Sequence, residues 1–397
     1  MAESAVVTWR TPLQQGTAQG QIAISSPDPR FVDRATTVNA VSSQYQEGSQ
    51  TTAHYHTVRF TGLQPETAYS YRVGDGTSWS EWIDFKTASK EPKPFSFIYF
   101  GDAQNYVKSL WSRVIRKSFR ELPYADLMLH AGDLIDEPTS DSEWGEWFEA
   151  GGWIHASVPT IASPGNHEYA RVEGGRVLTP LWKPQFAFPT NGPRGLEQTT
   201  YRFDYQGVRF ISLNSNEKIE EQTVWLEEAL KNNPNRWTVA TFHHPVYSTA
   251  KDRDNPRIRQ AWQPLFQKYN VALVLQGHDH TYGRRNVPTG LTERDKSSGT
   301  VYVVSVSGPK MYRLGPTVKQ EMSRVAESTQ LYQIIRVSSA KIRYEAYTVT
   351  GELYDAFELT KNRDGSNRFI NVRVSAPERL EPANPNAGDG RRISGGS

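Results

Sequence analysis

The chain has 397 residues, enough for roughly two or three domains and a sizeable buried core, since single cores seldom grow beyond about 250–300 residues. Lys plus Arg number 45 against 43 Asp plus Glu, a near-neutral balance that gives no electrostatic reason to expect a nucleic-acid partner. No cysteine is present: disulfides and thiolate metal sites are excluded, and any transition metal must be held by His, Asp, Glu or Asn. No run of residues reaches the roughly 18 apolar positions of a membrane span.

Residues 1–88 alternate apolar and polar side chains through AVVTWRT, GQIAISS, HTVRFTGL, YSYRVGDG and EWIDFKT. Period two predicts half-buried antiparallel strands. The segment GLQPETAYSYRV, with Leu63, Pro65, Thr67, Tyr69 and Tyr71 in alternation, resembles the corner of a fibronectin type III sandwich. SKEPKP, residues 89–94, reads as a stiff Pro/Lys linker.

From Phe95 the pattern changes. FSFIYFGD, DLMLHAGD, VPTIASPGN, WTVATFHH and VALVLQGH are short apolar strands that end in polar residues, and NYVKSLWSRVIRKSFRE repeats apolar side chains at helical spacing. Buried strands interleaved with helices predict an α/β core over residues 95–376. TTYRFDYQGVRFISLN reads as a hairpin, while TVYVVSVSG and LYQIIRVSSAKIRYEAYTV supply further strands. Residues 377–397 are poor in apolar side chains, and a disordered tail is expected there.

The chemistry stands just past the strands: Asp102 in GDAQ, Asp133 in GDLID, Asn166 and His167 in GNHE, His243 and His244 in FHHP, and His278 and His280 in GHDH. Each segment alone reads as an ordinary turn. Their ordered recurrence after five apolar strands does not, because five of the nine histidines fall in three of these segments. Two carboxylates, one amide oxygen and three imidazoles mix hard oxygen with borderline nitrogen donors, a set suited to a pair of metal ions that share one carboxylate.

The five segments resemble the signature of the calcineurin-like metallophosphoesterases. GHDHTYGR, which fits Gly-His-x-His-x-Tyr-x-Arg, and the fibronectin-like front domain point to the purple acid phosphatase-like branch. The resemblance implies an N-terminal β-sandwich followed by a four-layer α/β/β/α sandwich with a dinuclear centre at the strand ends. Carried over by residue, Asp102, Asp133 and His280 hold the first metal and Asp133, Asn166, His243 and His278 the second, with Asp133 bridging. Two departures stand out. Purple acid phosphatases carry a tyrosine three residues beyond the bridging aspartate, where this chain has Asp136, and the wider superfamily carries a histidine two residues beyond the first aspartate, where it has Gln104. Asp136 and Gln104 are therefore the candidates for an extra oxygen ligand. Without the phenolate, Mn, Zn or Fe(II) in a pale protein is expected rather than obligatory ferric iron.

The implied activity is hydrolysis of small phosphomonoesters by metal-activated water, with a phosphodiesterase or nucleotide pyrophosphohydrolase as the alternative within enzymes. A binding or adhesion protein with an inert phosphoesterase domain is the alternative outside them. His167 is the candidate for substrate contact and leaving-group protonation. His244 and Arg253 are candidates for substrate contact, with a supporting role also open to His244. Glu168, Tyr282 and Arg284 are expected to orient the ligand loops. Trp144, Trp147, Phe148 and Trp153 are expected to form a packed aromatic wall, the other reading being a pocket for a nucleoside or aryl group. Family resemblance implies an exported bacterial protein whose leader is absent from this sequence, with the cytoplasm as the other address.

Overall fold

The computed structural model describes residues 1–12, 16–47, 50–288 and 299–380. Seven strands make the front domain: β1 (Ser4–Thr11), β2 (Gln19–Ile24), β3 (Thr36–Asn39), β4 (Val41–Glu47), β5 (Gln50–Thr61), β6 (Ala68–Gly74) and β7 (Ile83–Lys86). They pair antiparallel as a three-stranded sheet, β1-β5-β4, and a four-stranded sheet, β3-β2-β6-β7. Period-two alternation turns Ile22, Val58, Phe60, Tyr69 and Tyr71 into one shared core.

The second domain holds β8 (Phe95–Phe100), β9 (Leu127–His130), β10 (Thr160–Ala162), β11 (Tyr169–Val172), β12 (Gly175–Leu178), β13 (Tyr201–Tyr205), β14 (Val208–Ser212), β15 (Trp237–Thr241), β16 (Leu273–Gln276), β17 (Tyr282–Val287), β18 (Thr300–Val304), β19 (Arg324–Ala326), β20 (Leu331–Val337), β21 (Lys341–Thr348), β22 (Leu353–Lys361) and β23 (Asn367–Asn371). Two seven-stranded mixed sheets result, ordered β10-β9-β8-β20-β21-β22-β23 and β13-β14-β15-β16-β18-β17-β19. Strands β8, β9 and β10 run parallel in the first, as do β14, β15, β16 and β18 in the second.

Each parallel strand is apolar on both faces because both faces are covered. Phe97, Tyr99, Leu127 and Leu129 of the first sheet pack with Phe210, Val239, Leu273 and Leu275 of the second. The alternate residues Ile98, Phe100 and Met128 pack outward with Val114 and Ile115 of α1 (Ser112–Glu121) and with α2 (Asp141–Gly151). On the opposite side Ala240, Phe242 and Val274 meet Leu226 and Leu230 of α5 (Ile219–Lys231) and Trp262 and Phe266 of α6 (Pro256–Lys268), the short α3 (Trp153–Ser157) and α4 (Trp182–Gln185) lying between in sequence. The four-layer expectation is met. The predicted hairpin is β13-β14, turned through Gln206 and Gly207, both at positive φ. The helix expected from Val107 opens instead with a π-helical turn, Val107–Trp111, led by Tyr106 in the left-handed region.

The front domain is fastened to the second by Thr8 Oγ1, which donates to the Gln185 carbonyl at 2.8 Å, and by the Tyr55 and Tyr71 hydroxyls, which donate to Asp141 Oδ1 at 3.0 Å and to the Ala156 carbonyl at 2.7 Å. The intervening Pro/Lys segment is pinned by Gln206, whose side chain accepts from the Lys93 N–H and donates to the Ser89 carbonyl. Within the expected tail, the Arg379 N–H donates to the Tyr354 hydroxyl and Glu378 accepts from the Val325 N–H; residues 381–397 lie outside the described residues. No helix among the described residues is long and apolar enough to cross a membrane.

Trp144 and Trp147 are fully buried beside Trp111 and Trp182, whereas Trp153 is exposed. The aromatic cluster is therefore a wall. Two imidazoles have their ring nitrogens buried in it: His155, a half-buried residue, stacks on Trp147 with ring centroids 4.1 Å apart, and the fully buried His130 lies against Phe100 and Trp147, its ring nitrogens without a hydrogen-bond partner among the described residues. Burial pushes His155 down to about 4 and His130 well below the ordinary imidazole range. A depressed folded pKa means that the unfolded chain takes up protons first, so this stability is present above about pH 6.5 and is lost as pH falls toward 4. His155→Leu, which cannot titrate, should gain on the parent in melting temperature as pH drops from 7 to 5; a difference that stays constant across that range would contradict the assignment.

Candidate metal centre

The carboxyl ends of β8, β9, β10, β15 and β16 point to one region, and the chain leaves each of them in a tight turn. Asp133, His278 and His280 have φ of 50°, 75° and 49°. Three non-glycine residues in the left-handed region within one site mark stored backbone strain. Two glycines make the close approach possible. A Cβ on Gly277 would lie 2.8 Å from Asp102 Oδ2, and one on Gly165 would lie 2.2 Å from Asp133 Oδ1.

Asp102, Asp133, His243 and His280 are buried, and two groups of donor atoms cluster within 4.8 Å: Asp133, His243 and His278, and Asp102, Asp133 and His280. Asp133 belongs to both. His243 Nδ1 donates to the Ala131 carbonyl at 2.8 Å, which turns Nε2 toward the site. That one nitrogen lies 3.0 Å from Asp133 Oδ2, 3.2 Å from Asn166 Oδ1 and 3.1 Å from His278 Nδ1. A single proton can satisfy one of these contacts; a cation satisfies all of them. His280 Nδ1 likewise donates to the Lys310 carbonyl at 2.9 Å, which turns Nε2 toward Gln104 and Asp102. The residues fit a pair of metal ions on this observation.

The electrostatics agree. Burial opposes a charge on His243, yet Asp133 and Asp102 outweigh it and push the imidazole up to about 9, so that a proton stands where a cation's charge would. Burial raises Asp102 to about 7 against the charge of His243. Burial would raise Asp133 too, but His243 and His167 hold it well below the usual carboxylate range. His278 and His280 are driven well below the ordinary imidazole range by burial.

The other residues singled out by sequence surround these. The His167 N–H donates to Asp133 Oδ1 at 2.8 Å, and its Nδ1 contacts the Asp136 carbonyl at 2.6 Å and Asp136 Oδ1 at 3.3 Å. Asp136 stands outside both ligand groups. Gln104 Nε2 is 3.0 Å from Asp133 Oδ2 and 2.9 Å from His280 Nε2, while its oxygen accepts from Lys310 at 3.4 Å; rotation of the amide would exchange its two ends. The His244 ring lies 4.3 Å from that of His278, with Nδ1 on Ser215 Oγ at 2.8 Å, and burial pushes it down to about 3. Arg253 donates to the His278 carbonyl at 2.6 Å and stacks on Tyr312. Tyr282 and Arg284 lie deeper, both donating to buried Asp355.

Lys310 was missed by sequence reasoning. It lies several residues past the end of β18, beyond the residues that directly follow a strand, where the reading of the other five strand ends did not extend. Glu168 has a sharper role than sequence indicated: its carboxylate accepts the backbone N–H groups of Asp133, Leu134 and Gly165 at 3.0, 2.8 and 2.6 Å, tying the second and third ligand turns together.

A family model described as calcineurin-like phosphoesterase matches residues 96–282, and the purple acid phosphatase N-terminal domain matches residues 1–87. Purple acid phosphatase 15 of Arabidopsis thaliana is 28% identical over 264 residues, covering 58% of this chain and 49% of its own length. An uncharacterized protein of Mycobacterium tuberculosis is 28% identical over 334 residues, 73% of this chain and 61% of its own. Acid phosphatase type 7 of Danio rerio is 28% identical over 275 residues, 60% of this chain and 59% of its own. The chain thus spans about half to three-fifths of the length of these curated relatives. Among solved structures, the purple acid phosphatase PPD1 from yellow lupin seeds shares the fold at a TM-score of 0.76 and 17% identity, covering 97% of this chain and 76% of that one. PhoD shares it at 0.65 and 15%, covering 96% and 92%.

Glu168→Ala removes the acceptor of three buried N–H groups, each of which costs about 1–3 kcal/mol when left unpaired. The variant should melt at least about 5 °C lower and lose metal on dialysis that the parent retains. Parent-like melting together with parent-like metal content would remove Glu168 from the ligand scaffold.

Proposed function

We propose that the chain, which matches the calcineurin-like phosphoesterase model over residues 96–282 and the purple acid phosphatase N-terminal domain over residues 1–87, is a metal-dependent phosphoesterase acting on phosphomonoesters. The observation that carries this reading is the membership of Asp133 in both ligand groups. Asp102, Asp133 and His280 would hold one cation and Asp133, Asn166, His243 and His278 the other, with Gln104 able to offer an oxygen to the first after amide rotation. Bound there, a pair of cations supplies an acidified water and neutralises phosphoryl oxygens. Asp136 replaces the family tyrosine, so we read the metals as Mn, Zn or Fe(II).

The chain's own residues complete the chemistry. His167 is on the rim, and its Nδ1–H donates to the Asp136 carbonyl, which fixes the ring; in its imidazolium form the Nε2–H gives its proton to the departing alkoxide and leaves the neutral Nδ1–H ring. Arg253 has one nitrogen committed to the His278 carbonyl, and its remaining donors are proposed to meet a phosphoryl oxygen. His244 packs against His278 and is read as its support, with substrate contact through Nε2. The front sandwich of three and four strands is read as fibronectin type III-like, with the boundaries 1–88, 89–94 and 95–376, and residence outside the cytoplasm is part of the proposal on family likeness.

His167→Ala should keep both metals by elemental analysis and lose about 100- to 1000-fold in kcat on an alkyl phosphate, with a much smaller loss on an activated aryl phosphate that needs no proton. An unchanged alkyl rate would remove His167 from proton transfer, and a parent enzyme that turns over diesters faster than the matched monoesters would replace the monoesterase reading with a diesterase.

A further inference from the structure

A cavity of about 480 Å³ opens beside the centre, its wall including Tyr169, Arg176, Asn216, Glu217, His244 and Asn255. Two features make it continuous with the second ligand group. His244 follows His243, and the Asn216 amide donates to the carbonyls of Pro164 and Gly165, the turn that presents Asn166. Resting on the phosphoesterase reading above, we infer that this cavity receives the alcohol portion of the ester and selects a hydroxyl-rich leaving group of the sugar or polyol type.

The inference follows from which polar atoms are already used. Asn216 spends its N–H₂ on Pro164, Gly165 and Asn214, and Asn255 spends its own on the Pro245 carbonyl and Ser248 Oγ at 3.0 and 3.1 Å. The Tyr169 hydroxyl is saturated, donating to Glu217 Oε1 and accepting from Asn214, both at 2.6 Å. Apart from Nε2 of His244, whose Nδ1 is taken by Ser215, the capacity left on the half-buried part of this wall is acceptor capacity: Asn216 Oδ1, Asn255 Oδ1 and Glu217 Oε2. Arg176 is the counterpart, an exposed donor whose cross-strand neighbour on the β11-β12 hairpin is Arg171.

An apolar or aryl group would desolvate these oxygens without pairing them. A second phosphate would gain Arg176 but meet Glu217 and the two amide oxygens, which repel it. Vicinal hydroxyls donate to the carboxylate and amide oxygens and accept from the guanidinium, so they alone match both halves of the wall. Selection of this kind is steep, because a site built to hydrogen-bond a hydroxyl is left with unpaired groups when the hydroxyl is missing.

The test uses the metal-reconstituted full chain with glucose 6-phosphate, propyl phosphate and fructose 1,6-bisphosphate. Glucose 6-phosphate should exceed propyl phosphate by about 100-fold or more in kcat/KM, and Glu217→Ala should cut that ratio about tenfold, with Glu217→Gln recovering part of it through the retained acceptor. Saturation-transfer NMR should show magnetisation passing from the parent protein to the sugar ring protons, and Glu217→Ala should abolish that transfer. Equal values for sugar and propyl esters, or a preference for the bisphosphate that Arg176→Ala abolishes, would overturn the inference. If no ester is hydrolysed the phosphoesterase reading fails on its own, and the NMR experiment still decides whether the cavity takes a polyol: transfer that is present in the parent and missing in Glu217→Ala supports it, and no transfer in the parent overturns it.

Discussion

One nitrogen with three polar neighbours at hydrogen-bond distance has more contacts than the single proton it can carry will satisfy. His243 Nε2 is in that position, with Asp133, Asn166 and His278 around it, and its other ring nitrogen is already committed to the Ala131 carbonyl. Buried acceptors facing one another are costly unless a positive charge stands between them. The rest of the architecture serves to hold that unfavourable convergence in place. The strain in Asp133, His278 and His280 raises the free energy of the metal-free chain for the sake of geometry, while the glycines that allow carboxylates to approach backbone and the Glu168 bracket across two turns hold that geometry against it.

The fold makes this possible because two separate parallel strand groups end at the same level. Asp102, Asp133 and Asn166 leave the first sheet, and His243, His278 and His280 leave the second. Face-to-face packing of Phe97, Tyr99 and Leu129 against Phe210, Val239 and Leu275 fixes one sheet relative to the other, so the distance between the oxygen-bearing and nitrogen-bearing loops is set by core packing rather than by the loops. The outer helices, with their buried tryptophans, stabilise the first sheet from behind and contribute no group to the centre.

Much of this was legible in the chain because strand ends in an α/β protein carry the chemistry, and the apolar runs mark those ends without ambiguity. The grouping of the ligands could be stated from resemblance; their mutual distances could not, since they depend on two sheets that only the fold brings together. Glu168 reads in sequence as one more residue after a histidine. Its importance lies in three backbone partners from two different turns, a property of folded backbone that side-chain patterns do not encode. Lys310 sits past a strand whose end carries no histidine or carboxylate, so nothing drew the eye to it, although it contacts the amide of Gln104. The cavity beside His244 is assembled from the β11-β12 hairpin, the turn after β14 and the start of α6, three stretches that sequence gives no reason to join.

The central claim is that Asp133 is common to two cation sites, and metal stoichiometry tests it most directly. Elemental analysis of the reconstituted parent should give two ions per chain, His278→Ala and His280→Ala should each retain about one, and Asp133→Ala should retain fewer than one. Two ions in Asp133→Ala, or a single ion in the parent that either histidine variant abolishes, would contradict it.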